Sequence, residues 1–439
     1  MGKRMVIHPE LGVGEIIQTR YSGFELQIIF TDGNIRWIRF DELKEYESNS
    51  GSDIPTVVPK RNVLSEQTFL SRRMIEAFRL GIVPTDLVDQ FTFGRDAEVT
   101  KINEWLQSSN KNVSYVFGEY GTGKSHLLSS TIKKASHSGY AVALVETDRT
   151  AVAFNKPKAL YSNIIKAFQY IDPIDGRKKD FRDFLRSAIQ SHTFKDHIYF
   201  KWFQKYDHDV LWEWILCDSN CSRPTQYALL EEGLNLYASQ FELLPAYQTA
   251  ANVYCYLLSS IGWAAKNILG LSGLLVIFDE AESIEQINGA YSTDKANNFI
   301  AALIRTANND KILNETSSLW ETGLTFSSRS KLPFLYANRS EIKLMFAFTP
   351  SNYSPPNSPK NPPCQIILKD FTDSALKQIF DEVFNLYKKG YAGFSIDENT
   401  FEKIFKSVND PTNNVRRFVK ASVEALDIIR LTDNIQFLK

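Results

Sequence analysis

Apolar and polar residues alternate over the first 46 positions of the chain. VIHPELGVGEIIQTRY and FELQIIFTDGNIRWIRF read as short strands with one buried face. Gly12, Gly14 and Gly23 punctuate them, and Asp32-Gly33 between two alternating runs marks a hairpin. Four or five strands in so short a segment predict a small all-β barrel of SH3 size over residues 1–46. The polar segment 47–62 (ESNSGSDIPTVVPKRN), with its two prolines, predicts a linker.

From residue 63 the period changes. Residues 63–110 read as helices, one holding Arg72, Arg73, Ile75, Glu76 and Arg79, another running from about Asp96 to Gln107. Five continuous apolar runs then recur: VSYVF (113–117), YAVALVE (140–146), GLLVIF (273–278), KLMFAF (343–348) and CQIILK (364–369). Runs without alternation suit parallel strands covered on both faces, so an α/β unit is expected over 63–370. The second and third runs are too far apart for one crossover, which predicts a helical insertion at about 150–270. Its aromatics (Trp202, Trp212, Trp214, Tyr227, Tyr237, Tyr247, Tyr254, Trp263) fall at helical spacing and are expected in a core. Residues 371–439 read as a helical lid with helices over 373–389, 397–408 and 413–430, each preceded by N-cap residues: Thr372/Asp373, Asp397 and Asn413/Asn414.

Composition narrows the options. Lysine plus arginine (50) nearly equals aspartate plus glutamate (51), so any nucleic-acid contact must come from a local patch or a partner. Cys217 and Cys221 lack the neighbouring Cys/His pair that would complete a zinc site. The opening MGKRMVIHPELG has no signal-peptide core and no apolar run reaches membrane-spanning length, so a cytoplasmic protein is expected.

The chemistry is concentrated at two places. Gly118-Glu119-Tyr120-Gly121-Thr122-Gly123-Lys124-Ser125 follows an apolar strand and opens a helix beginning His126-Leu-Leu. That is the strand–loop–helix context of a phosphate loop, in which glycines let backbone N–H groups turn toward phosphate oxygens. Lys124 is expected on the β- and γ-phosphates of ATP, and Ser125 on Mg²⁺. The second place is the strand end Leu274-Leu-Val-Ile-Phe-Asp279-Glu280. A buried strand ending in Asp-Glu delivers both carboxylates to the carboxyl edge of the sheet. Asp279 is expected on Mg²⁺, and Glu280 as the group that polarises the attacking water.

These motifs resemble those of AAA+ P-loop ATPases, in particular the origin-recognition/Cdc6-like branch. The resemblance implies that Phe93-Gly94-Arg95, before a helix with Glu98, lies beside the adenine. It also implies that Thr349 carries sensor 1, that Phe371-Thr372-Asp373 enters the lid, and that Arg416 of Asn413-Asn-Val-Arg416-Arg417 is sensor 2. RRMIEAFRLGIVP and GEYGTGKSHLL with the long insert are similar to BrxD-type ATPases of BREX-like phage-defence clusters. That likeness implies a protein partner such as a superfamily 2 helicase, with DNA and a homo-oligomer as further candidates.

The opening HPELGVGEII with FTDG–RWIRF looks like the Tudor/SH3 modules of CarD-type and UvrD-type proteins, which bind protein partners and sometimes nucleic acid. His8 is expected to pack in the barrel turn, and Tyr21, Phe24, Trp37 or Phe40 to form a partner face. Ser351–Lys369 holds no arginine, so an arginine finger must come from elsewhere; Arg72, Arg73, Arg329 and Arg339 are candidates. Arg329, Lys331, Arg339 and Lys343 also form a locally basic stretch that suits solvent or DNA. The functional expectation is an ATP-driven switch or loader. The alternatives are a STAND-like signalling switch with rare hydrolysis and an ATP-bound adaptor scaffold.

Overall fold

The computed structural model describes residues 5–9, 11–20, 25–39, 43–45, 65–84, 87–218, 221–351, 353, 355, 363–409 and 414–432. The chain divides into two compact units, Met1–Val63 and Leu64–Lys439.

In the first unit, β1 (Met5–His8), β2 (Gly12–Arg20), β3 (Glu25–Phe30), β4 (Ile35–Arg39) and β5 (Lys44–Glu45) form one antiparallel sheet ordered β4-β3-β2-β1-β5. Among the described residues no ladder joins β4 to β5, so the expected closure of the barrel does not extend to these edges. Period-two alternation puts Leu26, Ile28 and Phe30 of β3 into a small core with Ile38. The Asp32-Gly33 turn joins β3 to β4: Gly33 takes φ +84° and the Asp32 carboxylate accepts the Asn34 N–H at 3.0 Å. His8 Nδ1 accepts the Leu11 N–H at 3.2 Å and the ring meets Phe30 edge-on, a structural role. Trp37 is half-buried on β4; Tyr21, Phe24, Phe40 and the segment 47–62 lie outside the described residues.

The second unit begins with α1 (Glu66–Leu80) and α2 (Asp96–Gln107). β6 (Val113–Phe117), α3 (Lys124–His137), β7 (Tyr140–Glu146) and α4 (Pro157–Ala167) follow. A two-residue hairpin, β8 (Tyr170–Ile171) and β9 (Lys178–Lys179), precedes α5 (Phe181–Ala188), α6 (Asp209–Ile215), α7 (Gln226–Glu231) and α8 (Ala251–Asn267). Then come β10 (Gly273–Asp279), α9 (Ala290–Ala307), β11 (Ile342–Phe348), β12 (Cys364–Ile367), α10 (Asp373–Gly390), α11 (Glu398–Val408) and α12 (Val415–Thr432).

The apolar runs form a parallel sheet ordered β12-β6-β11-β10-β7. Successive side chains leave opposite faces, so each run feeds two cores. Tyr115, Phe278 and Phe346 face α4, α8 and α9, while Val116, Ile277, Met345 and Ala347 face α2 and α3. This order brings the carboxyl ends of β6, β11 and β10 side by side, although they are far apart in the chain.

The segment between β7 and β10 is not a separate body. Trp212, Trp214 and Tyr254 lie in the same continuous core as the sheet, and α4 and α8 are ordinary covering helices for β7, β10 and β11. The expectation of core aromatics holds for those three and for the partly buried Trp202 and Trp263, and fails for Tyr227, Tyr237 and Tyr247, which are exposed.

Chain order groups α1 with the sheet, but packing groups it with the lid. Met74, Ile75 and Phe78 share a core with Phe380 and Tyr387 of α10 and Leu426 of α12. Arg79 pairs with Asp427 at 2.6 Å, and Arg72 Nε donates to the Gly390 carbonyl at 2.8 Å. Arg72 therefore fastens the lid and is not a free finger. Thr372, Asp397 and Asn414 each accept an N–H of the following helix's first turn. The basic stretch also breaks up. Lys343 is buried on β11 and donates to the Trp105, Ser108 and Lys111 carbonyls at 3.0, 2.7 and 2.9 Å. Its charge is spent on carbonyls at and just beyond the end of α2. Among the described residues no helix is long and apolar enough to cross a membrane.

Candidate nucleotide site

Gly121 and Gly123 take φ of +83° and +90°, a conformation costly for other residues, and so wrap the loop between β6 and α3. At Gly118 a Cβ would come within 2.7 Å of Thr122 Oγ1, which itself donates to the Glu119 carbonyl at 2.8 Å. The loop ends on the N-terminus of α3, whose leading N–H groups and dipole favour an anion. Lys124 is largely buried; its Nζ donates to the Gly118 carbonyl at 2.7 Å and to Thr349 Oγ1 at 2.9 Å. Thr349 follows β11, the neighbour of β6, which is why it reaches Lys124.

Ser125 Oγ donates to Asp279 Oδ2 at 3.0 Å, so the two expected metal-holding groups already meet. They suit Mg²⁺, which takes few protein oxygens and keeps water and phosphate ligands. Glu280 sits in the left-handed region at φ +54°. Two neighbours hold that conformation: Asp279 Oδ1 accepts the Glu280 N–H at 2.9 Å, and Thr147 Oγ1 lies 2.9 Å from the Asp279 and Glu280 carbonyls. Partial burial, then the charges of Glu146, Asp279 and Glu282, push the Glu280 carboxyl above its ordinary range. Thr147 escaped sequence reasoning, since only the β7–β10 register, with Glu146 opposite Asp279, places it there.

A cavity of about 560 Å³ opens above these groups. Phe78, Ile82, Val83, Phe91 and Phe93 make an apolar wall, and Val415 and Val419 of α12 approach it from the lid. Arg95 also lines the cavity, but its guanidinium is committed elsewhere. It donates to the Thr122 carbonyl at 2.8 Å, pairs with Glu98 at 3.2 Å and lies 4.1 Å from the Phe371 ring centre. Arg95 thus props the phosphate loop against the lid entrance, and Phe93 is the wall residue of the pair. His126 Nε2 lies 2.8 Å from Thr92 Oγ1; because Thr92 donates its proton to the Val88 carbonyl, His126 is the donor. This bond ties α3 to the apolar wall.

The lid touches the loop directly. Arg416 Nη1 is 3.4 Å from the hydroxyl of the exposed Tyr120, and a Cβ on Gly121 would fall 2.3 Å from Asn414 Cγ. Asn414 was expected only as a helix cap; its position over Gly121 depends on the folded lid.

Phosphate loop, acidic strand end and helical lid on this sheet form a P-loop nucleotide site whose arrangement resembles the AAA+ type. More specifically, residues 67–177 match the family of BREX system ATP-binding proteins BrxC/D, and the chain is similar to those proteins. No curated protein matches the chain. Among solved structures, the Walker-type ATPase PABY2304 of Pyrococcus abyssi matches at 12% identity and TM-score 0.38, covering 79% of this chain and 70% of that one. Drosophila ORC bound to DNA matches at 12% identity and TM-score 0.34, covering 80% and 64%. The E. coli MS115-1 HORMA:CdnC:Trip13 complex matches at 10% identity and TM-score 0.27, covering 82% and 87%.

Proposed function

We propose that this chain hydrolyses ATP and uses the lid to report nucleotide state to a DNA-processing partner in phage defence. The observation that carries this reading is the convergence of Lys124, Thr349, Ser125 and Asp279 at one sheet edge, with Glu280 following on the same strand end. In this reading Lys124 exchanges its loop carbonyls for the β- and γ-phosphate oxygens. Ser125 and Asp279 hold Mg²⁺, which when bound neutralises charge on the phosphates. Glu280 orients water toward the γ-phosphate, and its raised carboxyl suits proton acceptance. Thr349 fixes Lys124 and senses the same phosphate. The apolar wall with Phe93 packs the base, and Arg95 keeps the loop in register. Phosphate release by the purified chain, measured with and without Mg²⁺ and with and without DNA, tests the reading. Mg²⁺-dependent release is expected; tight nucleotide retention without release would replace it with the rarely hydrolysing switch.

Arg416 leaves Tyr120 for the γ-phosphate when the lid closes, coupling closure to nucleotide state. Arg416→Ala is expected to lower turnover by roughly 10–100-fold while KM for ATP changes by less than about threefold. Wild-type turnover would remove Arg416 from this role.

The first unit recruits the partner, a superfamily 2 helicase being the first candidate, with Trp37 among the residues that contact it. Acidic residues slightly outnumber basic ones in residues 1–60, a balance that disfavours nonspecific DNA binding. Deleting residues 1–60 is expected to leave basal ATPase within about twofold and to abolish partner capture in a pull-down, because the unit has its own sheet and core. Retained capture would overturn recruitment.

A further inference from the structure

Between Asn308 and Glu341 the chain holds only one short 3-10 turn, Lys311–Asn314. So long a connection without regular structure is uncommon in a packed domain unless it serves a function. This one is held firmly. The fully buried Asn252 of α8 donates to the Ser330 and Leu332 carbonyls at 2.8 and 2.9 Å and accepts the Ser327 N–H at 3.0 Å. Asn298 of α9 brackets Thr325 with bonds of 3.1 and 2.7 Å, and Arg305 donates to the Thr322 carbonyl at 2.6 Å.

This fixed strap presents Trp320 with 83% of its surface in solvent and its ring T-shaped against Phe326. Tyr291 of α9 is 62% exposed with Lys295 Nζ 5.0 Å from its ring centre, and Lys295 in turn reaches Thr325 Oγ1 at 3.2 Å. Tyr247 is 43% exposed and its hydroxyl is 2.7 Å from Arg329 Nη1. Lys331 is exposed two residues beyond Arg329. An indole left so exposed contributes little buried area to folding. Protein interface cores are depleted of lysine and acidic residues, whereas here Lys295, Lys331, Asp294 and Glu321 lie among the rings. Aromatic faces interleaved with cations are the arrangement that stacks bases and meets phosphates.

We propose that this strip binds single-stranded nucleic acid, with bases stacking on Trp320 and Tyr291 and phosphates meeting Arg329 and Lys331. Asp294 bonds to Lys295 and Glu321 is exposed beside Trp320, so the strip is only weakly basic. Binding therefore depends more on stacking than on charge, with a shallow response to salt.

The test is fluorescence anisotropy of a labelled oligo(dT) titrated with the full chain at about 50 mM salt. Trp320→Ala is expected to weaken binding about tenfold or more. Trp320→Phe should restore most of it, and the matching duplex should bind more weakly than the single strand. Because Trp320 is exposed, Tm and ATP binding should match wild type in both variants. No binding by the wild-type chain, or equal affinity in Trp320→Ala, would overturn the proposal. Loss of a protein partner by Trp320→Ala with oligo(dT) affinity unchanged would also overturn it and reassign the strip to a protein interface.

Discussion

Lys124→Ala should abolish ATP binding at any ordinary working concentration. Lys124 is largely buried, with Nζ on the Gly118 carbonyl and on Thr349. Bonds to charged acceptors contribute about 1.5–3 kcal/mol each. Two phosphate bonds lost together thus cost roughly 3–6 kcal/mol, an affinity loss of at least ~100-fold. The variant also removes a link between the β6 loop and the end of β11, so Tm should be measured alongside. Titration with a fluorescent ATP analogue reads the loss. A variant that folds normally and binds within about threefold of wild type would show that the loop N–H groups and the α3 N-terminus hold the phosphates unaided.

Local signals made much of this legible in the sequence. The phosphate loop is a contiguous pattern whose glycines and Lys-Ser pair are needed within a few residues of one another, and the preceding strand confirms it. Asp279 and Glu280 were readable because a fully buried strand has to end where its carboxylates can reach water. What stayed hidden depends on partners distant in the chain. Thr147 becomes a support for Glu280 only through the register of β7 on β10. Lys343 looked like one cation of a basic stretch because its three carbonyl partners lie more than two hundred positions earlier. The amphipathic pattern of α1 announced a buried face without saying which core receives it; Phe78 and Arg79 chose the lid. The resemblance puts Arg95 beside the adenine, but its burial against Thr122 and Phe371, which no local signal announces, commits the guanidinium to the loop.

These hidden pairings share a consequence. The segment between α1 and α2 is fixed to the lid core through Phe91, which meets Phe78 of α1, and to the phosphate-loop helix through Thr92 and His126. A nucleotide that fills the cavity therefore touches both halves of the unit at once. In the proposed reading, that shared contact is what lets lid position follow nucleotide state.

Glu280→Gln tests the central claim, that this site turns ATP over, most directly. Glutamine keeps the shape and the backbone bonds of Glu280 to Asp279 and Thr147, but it cannot accept a proton. Positioned proton transfer contributes about 10²–10⁴-fold to rate. The decisive measurement is ATP affinity and single-turnover phosphate release on the same preparation of this variant. The account predicts wild-type affinity for Mg²⁺-bound ATP with release slowed at least ~100-fold. Undiminished release would contradict it and remove Glu280 as the group that polarises water.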